Sequence, residues 1–481
     1  MSPSGMSPSG MSPSGMPALG RVITGIADAP PPVSGHDATA GAPPTGDAIT
    51  RRAWLATATA GAIAAATGPR SRGAEPEAAA AAATPVDRIH VAVMGVNGRG
   101  AALARAFNAN PRAEVVKLCD VDERIGGALA ESLEKDGRRR PAIERDIRRV
   151  LDDKLVDVLV IAAPNHWHAP ATIMAAAAGK HVYVEKPCSH TPEEGELAIA
   201  AARRHGRVVT MGSQRRSWPA VREGIERLRA GDLGEVRYAR TFYAAHRGTI
   251  GRKQPGQPPA WLDWELWQGP APERPFQENF VHYNWHWRWH WGNGELGNNG
   301  VHAIDVARWG LGVTHPTRIT AGGGRYHFED DQETPDTMMT TFEFPERRLI
   351  TWEGLSCTPS SMDASDFGIW FVGEKGSMLV GKDGGYSILD PANVVVETKQ
   401  GPAGEATHIA DFLDCVASGR RPHADIEEAH RSTLLCHLGN IAYRTGRSLV
   451  TRPADGRIVG DAGAEALWTR EYRTGWRPTV T

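Results

Sequence analysis

Lys186 has the setting of a proton-transfer group. It stands near the end of HVYVEKP (181–187), whose β-branched first half reads as a strand stopping at charged residues. The carboxyl edge of an open α/β sheet is where ligands bind. A lysine ammonium there becomes a general base when burial and neighbouring positive charge lower its pKa toward neutrality. A plain surface lysine at a strand end is the alternative, so the neighbours must decide. Glu185 precedes it, and adjacent strand residues point to opposite faces, which sends Glu185 to pack or pair elsewhere.

The elements that would position Lys186 are legible around it. VDVLVIAA (156–163) is a second apolar strand, and APNHWHAPATIMAAAAGK (163–180) supplies a loop and a crossover helix, completing one βαβ unit. Upstream, RIHVAVMGVNGRGAALARAFNAN (88–110) runs from strand to glycine-rich turn to alanine-rich helix, the context of a dinucleotide-binding fingerprint. Gly95 and Gly100 hold the first and third glycine positions, and Asn97 stands where the second is expected. EVVKLCDVDE (114–123) follows as a strand ending at Asp120. An acid there binds both ribose hydroxyls and repels a 2′-phosphate, which favours NAD over NADP. A helix-capping aspartate without a ligand is the competing reading.

Together these segments resemble the Gfo/Idh/MocA family of NAD(P)-dependent sugar oxidoreductases. The resemblance is carried by GVNGRG (95–100), Asp120, APNHWH (163–168), AGKHVYVEKP (178–187) and GELGNNGVHAIDVARW (294–309). It implies an α/β fold in which a Rossmann-type parallel sheet domain (86–213) is followed by an α/β domain with a large, mostly antiparallel sheet (214–481). It implies NAD contacts from Gly95, Asn97, Gly98, Arg99, Gly100, Asp120, Pro164, Asn165, His168 and Glu185. It makes Lys186 catalytic, with a cis peptide before Pro187, and implies a homo-oligomer, dimer or tetramer. The family's second-domain histidine is matched by His302, but Asn298 replaces the aspartate usual four residues before it. Asparagine orients a hydroxyl and cannot take a proton. Proton transfer then rests on Lys186, His302 or both, unless His302 is a helix histidine packed beside Asp305. Oxidising a secondary alcohol needs little more than one placed base and a rigidly held cofactor.

Tryptophan is concentrated in WLDWELW (261–267) and NWHWRWHWGNGELGNNGVH (284–302). The alternation of Trp285, Trp287, Trp289 and Trp291 with His286, Arg288 and His290 predicts a strand with one indole face and one polar face. Its functional reading is carbohydrate recognition by Trp285, His286 and Arg288, with Asn298 and Asn299 beside them. Core or subunit interface is an equal reading for the indoles. His282, His286 and His290 would align on a helix as metal ligands, but the alternation argues against a helix and no metal is expected.

Residues 1–85 differ from the rest. MSPSG occurs three times from Met1, and a proline-, glycine- and alanine-rich stretch follows. Arg51 and Arg52 before Trp54–Leu55, with the weakly apolar 55–68, resemble a twin-arginine export signal. That route moves folded proteins, so a periplasmic or otherwise exported location with tightly held NAD is expected. The net charge of −2 offers no general attraction to nucleic acid or anionic membranes, and no membrane association is expected after signal cleavage. Five scattered cysteines (Cys119, Cys188, Cys357, Cys415, Cys436) suggest neither a disulfide framework nor a zinc cluster. Three functions stay open: a sugar oxidoreductase with bound NAD, an enzyme that cleaves glycosides by transient C3 oxidation and elimination, and a non-catalytic sugar-binding protein on the same fold.

Overall fold

A computed structural model describes residues 88–135, 138–358 and 365–480. The leader and its twin-arginine pattern lie outside the described residues.

The first half builds a six-stranded parallel sheet from β1 (Ile89–Met94), β2 (Ala113–Cys119), β3 (Ala142–Glu144), β4 (Val158–Ile161), β5 (His181–Val184) and β6 (Val209–Met211), in spatial order 3-2-1-4-5-6. Helices α1 (Arg99–Ala109), α2 (Gly126–Glu134), α3 (Ile147–Asp152), α4 (Asn165–Ala177) and α5 (Pro192–Arg204) connect the strands. The central strand β4 is wholly apolar and β1 nearly so, because helices cover both faces there. The chain order reverses between β1 and β4, which opens a crevice at their carboxyl ends.

After α6 (Pro219–Ala230), closed by left-handed Gly231, the chain enters β7 (Val236–Ala244) of a nine-stranded sheet. Its remaining strands are β8 (Arg318–Gly324), β9 (Thr337–Phe344), β10 (Arg348–Leu355), β11 (Phe367–Gly373), β12 (Gly376–Val380), β13 (Tyr386–Leu389), β14 (Val395–Lys399) and β15 (Leu449–Val450). The order is 14-13-12-11-7-10-9-8-15, and only β7 and β10 pair in parallel. This is the expected large, mostly antiparallel sheet. The short α7 (Trp264–Gln268) lies outside it, while α8 (Val301–Leu311) packs on β7.

Two late helices return toward the first domain. In α9 (Ala406–Ser418), Phe412 packs edge-on against Phe107 of α1 and Tyr183 of β5. The 20-residue α10 (Ile426–Thr445) touches α5, α8 and β8 and is buried on most sides. No helix among the described residues is long and apolar enough to cross a membrane.

The predicted tryptophan strand is not formed. Asn284–Trp287 is one 3₁₀ turn, and the following residues loop toward a π-helical turn at Leu296–Gly300. Trp285, Trp287 and Trp291 are all buried. Trp291 sits 5.2 Å from Trp267 and 4.5 Å from Phe280 by ring centres, within a satellite core that also contains Trp264 and Phe276. Burying indoles against different neighbours outweighs the period-2 pattern, because each aromatic buries a large area and strand propensity is weak and context-dependent.

Candidate functional site

A cavity of about 650 Å³ lies along the carboxyl edge of the parallel sheet and is closed by the 282–299 segment. At β1 the chain turns through Gly95 (φ 78°) and Gly98 (φ 51°) before α1 begins. A β-carbon on Gly100 would stand 1.7 Å from the Gly95 carbonyl oxygen, and one on Gly95 would stand 2.7 Å from Ala163 N. Both glycines are therefore required by packing, and Asn97 is tolerated between them. Asn97, Gly98 and Arg99 line the cavity at the helix N-terminus, where backbone N–H groups are free to meet a phosphate.

Asp120 lines the same cavity just after β2. It accepts hydrogen bonds from the N–H groups of Val96 (2.7 Å) and Asp122 (3.0 Å). Burial pushes its pKa up, and those two bonds pull against it. Arg99 donates to Glu185 (2.6 Å) and to Glu405 (2.6 Å); Glu185 thus pairs, as expected, but with a residue of the same cavity wall that Lys186 lines rather than away from it. His168 faces the carbonyl of Pro187 through Nδ1 (2.6 Å) and that of Ala163 through Nε2 (2.7 Å), joining the two strand-end loops. Pro164 and Asn165 also line the cavity.

The Lys186–Pro187 peptide is cis. Lys186 Nζ donates to the backbone carbonyl (2.9 Å) and the side-chain Oδ1 (2.8 Å) of Asn298. Burial above all lowers the pKa of Lys186, with Glu185 and Glu295 opposing and Arg99 and Arg247 adding to the fall. His286 stacks on Trp285 at 3.6 Å between ring centres. Its Nδ1 lies 2.6 Å from the Tyr283 carbonyl, which only accepts, so Nδ1 carries the hydrogen and Nε2 is the basic nitrogen. Burial pushes the imidazole down to about 3, with the Tyr283 bond opposing and Lys186 reinforcing, so it is neutral at pH 7.

Lys186, Trp285, His286, Asn298 and Asn299 are brought together on the cavity wall. Arg288 is not. It is buried beside Asp331 (3.3 Å) and Glu333 (3.7 Å), because without a strand its side chain has no polar face to join. His302 also does not line the cavity. It lies on α8 four residues after Asn298, where the π-helical turn ends, and its Nδ1 has no hydrogen-bond partner among the described residues. Burial first, then the charge of Lys186, drives its pKa well below the usual imidazole value. His282 and His290 bond Asp122 (3.0 Å) and the Pro272 carbonyl (2.8 Å), partners separate from that of His286.

Sequence reasoning missed Glu295. Its buried carboxylate accepts from Arg247 Nε (2.8 Å), Ser356 Oγ (3.1 Å), Asn298 Nδ2 (3.4 Å) and Asn299 Nδ2. A carboxylate absent at position 298 is thus present one turn earlier. The i, i+3 and i+4 spacing of Glu295 with Asn298 and Asn299 was the available signal. Arg247, Tyr243 and Tyr283, also on the wall, carried no local signal. Burial opposes the charge of Arg247, but Glu295 outweighs it and raises its pKa.

Residues 89–213 match the family model described as an oxidoreductase family with NAD-binding Rossmann fold, and residues 267–379 match the GFO/IDH/MocA C-terminal domain. A levoglucosan dehydrogenase of Pseudarthrobacter phenanthrenivorans is 30% identical over 167 residues, 35% of this chain and 36% of that protein. A glycosyl hydrolase family 109 protein of a Shewanella species is 33% identical over 153 residues, 30% of this chain and 34% of that protein. The matches thus span about a third of the length of these relatives. Among solved structures, levoglucosan dehydrogenase in complex with NADH and levoglucosan superposes with a TM-score of 0.60 at 20% identity, covering 76% of this chain and 99% of that one.

Proposed function

The chain belongs to the Gfo/Idh/MocA family of oxidoreductases, and from that premise we propose that it is an NAD-dependent enzyme acting on a hydroxyl-bearing carbon of a sugar or sugar derivative. The observation that carries this reading is one continuous cavity lined by both the glycine-rich helix start with Asp120 and the half-buried Lys186 with Asn298. The residues fit the cofactor. Gly95 and Gly100 let the turn close, the α1 N-terminus offers N–H groups to the pyrophosphate, and Asp120 offers its carboxylate to the adenosine ribose. NAD, when bound, supplies the hydride acceptor.

The chain's own residues supply the rest. Lys186, with its pKa lowered by burial, takes the hydroxyl proton as the carbonyl forms. Asn298 fixes the amine through two acceptors, and Glu295 and Arg247 fix Asn298 and the adjoining wall. His286 presents a neutral Nε2 that accepts a hydrogen bond from a second hydroxyl, and the buried Trp285 holds the imidazole by stacking. Reduction of NAD by a sugar panel, followed at the reduced-nicotinamide band, tests the reading. A sugar-dependent signal abolished in Lys186→Ala supports it, and failure of every sugar to reduce either free or bound NAD sinks it.

The similarity to a glycosyl hydrolase family 109 protein favours one second reading, glycoside cleavage in which oxidation at C3 acidifies the neighbouring C–H and the hydride later returns. The released products separate the two, since cleavage liberates the aglycone with no net NADH. Export through the twin-arginine route is a further proposal resting on Arg51–Arg52. Replacing both with lysine and locating the protein in cell fractions tests it, and unchanged export overturns it.

A further inference from the structure

A second cavity, of about 450 Å³, shares no wall residue with the first. It lies where the loop before α5 meets the C-terminal segment, and its walls include His190, Trp289, Asn293, Arg444 and Arg470. Nothing in the chemistry above uses it.

Its polar groups are incompletely satisfied. His190 and Asn293 are more than nine-tenths buried, yet His190 Nδ1 and Asn293 Oδ1 have no hydrogen-bond partner among the described residues. Arg470 gives Nε to Glu194 (2.7 Å) and Nη2 to the His166 carbonyl (2.7 Å), which leaves Nη1 buried and unpartnered. Buried polar groups are nearly always paired, so such a group needs an explanation, an unseen ligand among them. Arg444 stacks on Trp289 at 5.3 Å from the ring centre and hydrogen-bonds no carboxylate among the described residues. Arg274, also on the wall, stands 3.8 Å from Glu333. Glu273 and Glu471 are the acidic groups on the wall, and Glu273 is already 3.3 Å from Arg473.

Arg274, Arg444 and Arg470 therefore line one polar chamber of ligand-pocket size, and Arg444 hydrogen-bonds no carboxylate among the described residues. Arginine recognises carboxylate and phosphate through paired donors. We propose that this chamber is a second ligand site, for a small organic oxyanion bearing a carboxylate or a phosphate, seated against Arg444, Arg470 and Arg274 beside the Trp289 indole. The proposal does not depend on the redox reading, because none of these side chains lines the first cavity.

Calorimetric titration of the NAD-saturated full chain with D-glucuronate, with inorganic phosphate and with glucose as neutral control tests it. Saturable binding of at least one anion is expected, weakened about tenfold or more in Arg444→Gln, lowered by added sodium chloride and retained in Lys186→Ala. Arg274→Gln, on a largely exposed side chain, is the second variant should Arg444→Gln melt early. Binding of glucuronate alone assigns a carboxylate, and binding of phosphate alone assigns a phosphate. No saturable binding by either anion overturns the proposal, as does affinity unchanged in both arginine variants. Anion binding lost in Lys186→Ala places the anion in the first cavity and overturns it equally.

Discussion

The main cavity is served by two regions built by different means. At the ends of β1 and β2 the wall is mainly backbone, namely the Gly95–Gly100 turn and the α1 N-terminus, with one carboxylate, Asp120. At the end of β5, two strands beyond β1, it is made of side chains that hold one another: Lys186 on Asn298, Asn298 and Asn299 on Glu295, Glu295 on Arg247. The strand spacing puts β5 roughly 10 Å from β1 and roughly 14 Å from β2. The first depends on what is absent, since the missing β-carbons let the chain close on itself. The second depends on burial, which lowers the pKa of Lys186 and keeps His286 neutral. On the proposed reading one region recognises the cofactor and the other reacts, and substitutions should separate them.

The sharpest break is Lys186→Ala. Turnover should fall about a hundred- to ten-thousand-fold with NAD affinity nearly unchanged, measured by steady-state rates beside cofactor titration. Gly100→Ala attacks the other region. Its β-carbon would meet the Gly95 carbonyl oxygen at 1.7 Å, so loss of NAD binding and a destabilisation of about 1–3 kcal/mol are expected from calorimetry and thermal melts. Asp120→Ala should narrow the preference for NAD over NADP by about tenfold or more and leave saturated turnover almost unmoved. Unchanged relative affinity would remove Asp120 from ribose recognition.

Glu295→Gln sharpens the comparison through pH. Glu295 raises the pKa of Lys186, and the base works only when unprotonated. Neutralising Glu295 should therefore carry the acid limb of the kcat/KM profile to lower pH, while a limb that stays put would uncouple the carboxylate from the lysine. The smallest effect concerns stability. His286 and His437 are pushed down to about 3 by burial, so below about pH 6.5 the unfolded chain binds protons that the folded one refuses. Melting temperature should then fall as pH drops from about 6.5 toward 3. His286→Asn should soften that fall slightly.

Legibility followed the same division. The parallel sheet, its glycine turn and the delivery of Lys186 could be read from runs of β-branched residues and their spacing, because those elements are buried on both faces and short-range chemistry dictates them. The 284–291 stretch departs from its pattern, since alternation is a strand signal only where a sheet edge is available, and here Trp285 and Trp291 joined Trp264, Trp267 and Phe280 instead. Arg288 left the site for the same reason. Glu295 lay inside the 294–309 segment, one turn before Asn298, and its role emerged only when Arg247 and Ser356 arrived from just beyond β7 and β10, about fifty and sixty residues away in sequence.

The chain by itself determined the two-domain α/β plan, the glycine positions and the strand that ends at Lys186, because backbone conformation and hydrophobic period act over a few residues. Tertiary structure alone decided which histidine meets the cavity, where the supporting carboxylate sits and how far Lys186 is desolvated. Those properties belong to contacts between distant segments, and burial, which sets them, is a property of the packed whole.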